Sequence, residues 1–107
     1  MNRTLAELTG LVAEVSDTYA SRNDIARDDD WYLLKVQEEL GELTAEYLKT
    51  TGRGRLKGAD GASIRQALED ETADVLAMLL LFARTNHIDL DAALERKWFQ
   101  YLGRSPR

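Results

Sequence analysis

The sequence has 107 residues, 44% of them hydrophobic and 31% charged, with a formal net charge of −5. That length reads as one domain over residues 1–107, and that composition excludes a disordered chain. The acidic balance argues against a surface made for a nucleic-acid polymer, and the absence of cysteine excludes disulfides, zinc–thiolate sites and thiol catalysis.

No basic-then-apolar leader opens the sequence, and the longest wholly apolar run, Val75 to Ala83, is far too short to cross a bilayer. The expectation is a cytoplasmic protein with no membrane partner. The sole proline is Pro106, so nothing interrupts a helix in the body of the chain.

Four helical segments follow in order, with no convincing strand. Thr4-Leu5-Ala6-Glu7 has the form of a capping box, and Leu5, Leu8, Val12 and Val15 then recur at helical spacing, which predicts a first helix to about Ala20. Asp28-Asp29-Asp30 suits the positive end of a second helix running to about Lys49. The stretch TTGRGRLKGADG holds four of the seven glycines together with Arg53, Arg55, Lys57 and Asp60, and reads as a mobile loop. A third helix is expected from about Ser63 to Thr85. Asn86 and His87 turn the chain, and Asp89 caps a fourth helix that ends near Leu102. Long helices with short connections predict an all-α fold, an antiparallel four-helix bundle.

The second and third helices carry the chemistry. In KVQEELGELTAEY, Glu39 and Glu42 are three apart and share a face, with Glu38 beside them; EDETADVLAMLLLFA repeats the spacing at Glu71 and Asp74. Asp74 shares a stripe with Ala67, Met78 and Leu81, and Glu39 shares one with Tyr32, Val36 and Leu43. A carboxylate on an apolar stripe is costly unless paired or bound to a cation. If the two helices pack on these stripes, four carboxylates converge and repel, a conflict that a hard divalent cation removes. The alternative is a solvated acidic face, with Lys35 pairing to Glu39. Gly41 is a poor helix former that is easiest to explain if another helix or a ligand comes close.

EELGE followed by ETAD resembles the Glu-Glu-x-x-Glu … Glu-x-x-Asp signature of the MazG-like all-α nucleoside triphosphate pyrophosphohydrolases, and HIDLDAALERKW is also similar to that family. The resemblance spans about Trp31 to Arg104. It implies that Glu39, Glu42, Glu71 and Asp74 are ligands of Mg²⁺, for which Mn²⁺ could substitute, and that Glu38 orients or deprotonates the attacking water. It also implies cleavage of a (d)NTP between the α and β phosphates, giving a monophosphate and pyrophosphate, in the service of clearing unwanted nucleotides. Some family members end in Lys-x-x-x-Asn-x-x-Arg, whose polar groups contact phosphate; KWFQYLGR matches at Lys97 and Arg104 but has Tyr101 at the asparagine position. Tyrosine donates one hydrogen bond and cannot reproduce an amide. Near a helix C-terminus Lys97 and Arg104 are also well placed for the dipole alone.

Trp31, Tyr32 and Trp98 are either core or a stacking surface for a base. His87 reads as a loop residue, and with one histidine the chain lacks the paired Glu-x-x-His motifs of di-iron bundles. The rival to the enzyme is a helical binding or assembly module that keeps the acidic cluster without turnover. A homodimer or homotetramer is expected in either case, because VLAMLLLFA is apolar all round and a lone small bundle would leave part of it wet. MazG-like enzymes, by the same resemblance, are dimers or tetramers.

Overall fold

A computed structural model describes residues 2–103, of which 74% are helical with no strand among them. Three long helices, α1 (Leu5–Asn23), α2 (Trp31–Thr50) and α3 (Gly61–Thr85), are followed by a short α4 (Leu90–Lys97) and one 3₁₀ turn, Phe99–Tyr101. No helix is long and apolar enough to cross a membrane.

Three of the four α-helices start where a side-chain oxygen satisfies a free backbone N–H group. The capping box of α1 is complete: Glu7 N–H donates to Thr4 Oγ1 at 3.1 Å, and Thr4 N–H to Glu7 Oε1 at 3.1 Å. Asp60 accepts from Ser63 N–H at 2.8 Å to start α3, a bond that also holds its carboxyl below the usual range. Asp89 accepts from Ala92 N–H at 3.1 Å to start α4. Asp30, which precedes α2, makes no such bond.

The ends of the helices differ from the sequence reading. Helix α1 continues past Ala20 to Asn23 and stops at Asp24, whose left-handed φ of 52° sends its N–H back to the Ala20 carbonyl. Helix α2 ends in a built turn, in which the Leu48 carbonyl accepts from the N–H groups of Arg53 at 2.8 Å and Gly54 at 3.1 Å. A Cβ on Gly54 would lie 3.0 Å from the Lys49 backbone nitrogen, tighter than side chains ordinarily pack, so glycine suits this closure and a larger residue would have to loosen it. His87 turns the chain at φ 55°, as Ile88 N–H reaches the Ala83 carbonyl at 2.8 Å. The fourth helix stops at Lys97 rather than continuing to Leu102, and its continuation tightens into the 3₁₀ turn, a common fate for a helix end with little packed against it.

The main packing is between α2 and α3, with α1 laid on α3. Tyr32, at the start of α2, sits in a buried cluster with Leu81 near the end of α3, while Tyr47 borders a cleft with Ile64 and Leu68 at the opposite ends, so the two helices are antiparallel. Ala13 of α1 completes the cluster, flanked by Val12, Trp31, Met78 and Phe82. Arg27 pins the α1–α2 connection through Asp17 at 3.0 Å and Ser16 Oγ at 2.9 Å, its guanidinium 5.9 Å from the Tyr32 ring centre.

The radius of gyration is 16.8 Å, against about 13 Å for a compact domain of this length. Accordingly the apolar circumference of α3 is only part covered: Leu80 and Leu81 are buried, whereas Leu76 and Leu79 are 45% and 41% exposed.

Gly41 is exposed, and nothing lies within 4 Å of where its Cβ would be, so no part of this chain explains the glycine by close approach. Gly41→Ala is therefore expected to stabilise the single chain by about 0.5–1 kcal/mol through helix propensity, read as a higher urea midpoint. A loss of stability would reveal something lying on that helix face.

Candidate metal and nucleotide site

Antiparallel pairing of α2 and α3 sets the middle of one helix against the middle of the other. Glu39 and Glu42 leave α2 there, and Glu71 leaves α3, so that one carboxylate oxygen from each lies within 4.8 Å of the others. Two oxygens bound to one octahedral Mg²⁺ lie about 3–4 Å apart, so modest side-chain rotation would bring this set onto an ion. Glu39 Oε2 and Glu71 Oε2 are buried and have no hydrogen-bond partner. Polar atoms buried in this way are normally satisfied. Two unsatisfied oxygens on facing helices fit a cation as their missing partner.

The electrostatics agree with that chemistry. Burial, then the Glu42 carboxylate beside it, and then the charges of Asp74 and Glu71 push the Glu39 carboxyl up to about 7. Glu71 is raised as well, first by burial and then by the charges of Glu42 and Asp74. Asp74 thus belongs to the acidic field, but it stands one turn beyond Glu71, is exposed, and lies outside the three-oxygen cluster. The sequence reading placed both Asp74 and Glu39 on costly apolar stripes; the buried oxygens belong to Glu39 and Glu71. The stripe argument failed for Asp74 because α1, which lies along α3, leaves that position at the rim.

Beside the cluster α1, α2 and α3 enclose a cavity of about 570 Å³. Glu39 and Asp74 line one side, and Val12, Val15, Met78, Leu81 and Trp31 form apolar and aromatic walls. Trp31 stands edge-on to Tyr32 at 5.1 Å, and Lys35 Nζ lies 5.7 Å from its ring centre. Lys35 also holds Glu38, donating to its two oxygens at 3.2 and 3.1 Å. Of the three aromatics in question, Tyr32 is core, Trp31 is a half-buried cavity wall, and Trp98 is 67% exposed and lies outside both the core and this cavity. The contribution of α1 through Val12, Val15, Ser16 and Tyr19 was not foreseen; extending its apolar spacing from Val12 and Val15 to Tyr19 would have pointed to it.

The C-terminal residues do not join this site within one chain. Lys97 is exposed and Tyr101 half-buried, and neither lines the cavity or belongs to the acidic cluster. Arg104 lies outside the described residues. In the loop, Arg53 is tied to Thr51 Oγ1 at 2.9 Å.

No known family model, no curated protein and no solved structure matches this chain. The geometry of the site therefore bears the functional argument.

A raised carboxylate pKa in the fold means that the native state holds its proton more tightly than the unfolded chain. Without metal, stability should accordingly fall as pH rises from about 4.5 to about 7, through the window set by Glu39. A cation needs the ionised carboxylates, so its stabilisation should appear above pH 7 and fade below it. Thermal melting at pH 5.5 and 8 should show the chelated protein more stable at the lower pH and Mg²⁺ raising the Tm more at the higher one. Glu39→Gln should flatten both dependences.

Proposed function

We propose that this protein is a Mg²⁺-dependent nucleoside triphosphate pyrophosphohydrolase of the MazG-like type, cleaving (d)NTP to (d)NMP and pyrophosphate. The observation that carries the reading is the pair of buried, unpartnered oxygens of Glu39 and Glu71, facing each other across α2 and α3 beside an aromatic-walled cavity. The match of EELGE and ETAD to the family signature supports it from the sequence side.

In this reading Glu39, Glu42 and Glu71 hold the ion, and Asp74 adds its carboxylate from the rim. Bound Mg²⁺ supplies charge neutralisation on the phosphates and acidifies a coordinated water. The cavity takes the nucleoside, whose base lies against Trp31. Water attacks the α-phosphorus, the bridge to the β-phosphate breaks, and pyrophosphate leaves with the bonding electrons. Glu38 accepts the water proton on a carboxylate oxygen; its bonds to Lys35 hold that group at the edge of the site. Lys97, Tyr101 and Arg104 are the proposed phosphate contacts and, since Lys97 and Tyr101 do not line this chain's own cavity, they would reach a site on another copy or require the C-terminal segment to move.

A nucleotide panel with Mg²⁺, scored by pyrophosphate release, tests the activity. Glu42→Gln, Glu71→Gln and Asp74→Asn should each lower turnover at least about 100-fold, a loss of roughly 2.7 kcal/mol in transition-state stabilisation, with helical content unchanged. Near-normal turnover in Glu42→Gln or Glu71→Gln would refute the site. Wild-type protein that binds Mg²⁺ but releases no pyrophosphate from any nucleotide would favour the binding-module alternative.

The functional unit is proposed to be a homo-oligomer in which the uncovered side of α3, with Leu76 and Leu79, packs against a second copy. Light scattering at micromolar concentration is expected to give at least two chains per particle. A stable monomer with full activity would show that this face does not need a partner.

A further inference from the structure

The connection from α1 to α2 carries a cross-link unlike any other in the molecule. The Arg27 guanidinium donates to Ser16 Oγ at 2.9 Å and pairs with Asp17 at 3.0 Å, both on α1, and lies 5.9 Å from the ring centre of the buried Tyr32 on α2. Among the described residues, every other side-chain hydrogen bond and ion pair joins groups no more than four positions apart. Arg27 alone reaches back from a loop into the body of a helix.

What it holds there is a wall of the cavity. Val12, Val15, Ser16 and Tyr19 of α1, with Ile25 of the connection, line the recess beside the acidic cluster. Most polar side chains on that lining are otherwise engaged or lie open to water. Lys35 is bonded to Glu38, Glu39 and Asp74 belong to the acidic field, and Tyr19 is 60% exposed. Ser16 is half-buried, and it is the neutral polar group that an otherwise apolar wall offers to a ligand.

The bond from Arg27 decides what Ser16 can offer. A hydroxyl has one donor and two acceptor positions. The guanidinium occupies one acceptor position, and a cation bonded to the oxygen polarises the O–H and strengthens it as a donor. Arg27 stays charged at any ordinary pH, so this polarity is permanent. The contribution to folding is small by comparison. Asp17 is 55% exposed, which makes the ion pair weak, and α1 is kept on α3 by Ala13 and Val12.

We propose that Ser16 is a ligand-binding residue of the cavity, donating its O–H to a hydrogen-bond acceptor on the bound nucleoside, and that Arg27 is the positioning residue that aims it. The inference rests on the reading of the cavity as the place of the nucleoside. It adds the group by which α1 recognises that nucleoside.

Steady-state hydrolysis of the best nucleotide in the panel, at saturating Mg²⁺, tests Ser16→Ala, Arg27→Gln and the double variant, with circular dichroism to check that the helices persist. Each single change should raise KM about tenfold, the size of one hydrogen bond, with kcat within about twofold of wild type. Because Arg27 acts through Ser16, the double variant should be no worse than the worse single one. An unchanged KM in Ser16→Ala, or losses that multiply in the double variant, overturns the proposal and leaves the activity standing. If the wild type hydrolyses no nucleotide, the activity fails and binding decides instead. Quenching of Trp31 fluorescence by uridine, cytidine, adenosine and guanosine, without metal and in a Trp98→Phe background, then gives dissociation constants. Values about tenfold weaker in Ser16→Ala and in Arg27→Gln sustain the proposal; unchanged values, or a cavity that binds none of the four, overturn it.

Discussion

The seam between α2 and α3 is the largest contact in the molecule, and at its centre sit carboxylates that repel each other. Glu39 and Glu71 each have one oxygen shut away from water with nothing to bond to, while Glu42 and Asp74 add negative charge at the edge. A helix pair built for stability alone would place leucine at such positions. The acidic pair weakens the seam unless protons or a cation occupy it. That ties folding of the two long helices to the state of the site, and makes the site the point on which packing, pH response and chemistry all turn.

The rest of the architecture positions that seam. The Leu48 carbonyl and Gly54 close the end of α2, and the antiparallel return of α3 brings Glu71 within reach of Glu39 and Glu42. Tyr32, Leu81 and Ala13 anchor one end of the seam and hold α1 against α3. Helix α1 then forms a wall of the cavity, next to Glu39 and Trp31. An acidic cluster and an apolar recess side by side are the features on which the proposed nucleotide ligand, part phosphate and part aromatic, rests.

The isolated chain is strongly under-packed. Among the described residues six hydrophobic ones are buried: three alanines, two leucines and Tyr32. A hydrophobic contribution of this size leaves little margin against conformational entropy in a chain of about 100 residues. The exposed leucines on α3 are the surface for which a second copy is proposed, and such a contact would let folding and assembly share one hydrophobic term.

The sequence by itself determined the helices, most of their starting caps and the acidic residues. Those depend on local rules: Thr4 with Glu7, Asp89 before its helix, and glutamates three apart, all written within a few positions, whereas the Asp60 cap on Ser63 emerged only in the structure from a stretch read as loop. It also made the apolar circumference of α3 visible, because periodicity is a local property. Tertiary structure decided which carboxylates lose water. Asp74 shares its helix stripe with Met78 and Leu81 yet stays exposed, whereas Glu71, marked in the sequence by its spacing to Asp74 and by the family signature but not by an apolar stripe, is the one that turns into the seam. The cavity likewise needed α1, α2 and α3 together, and the separation of Lys97 and Tyr101 from it followed from where α4 was left by the turn at His87. Burial depends on every neighbour at once, and no spacing along one helix can encode which neighbours arrive.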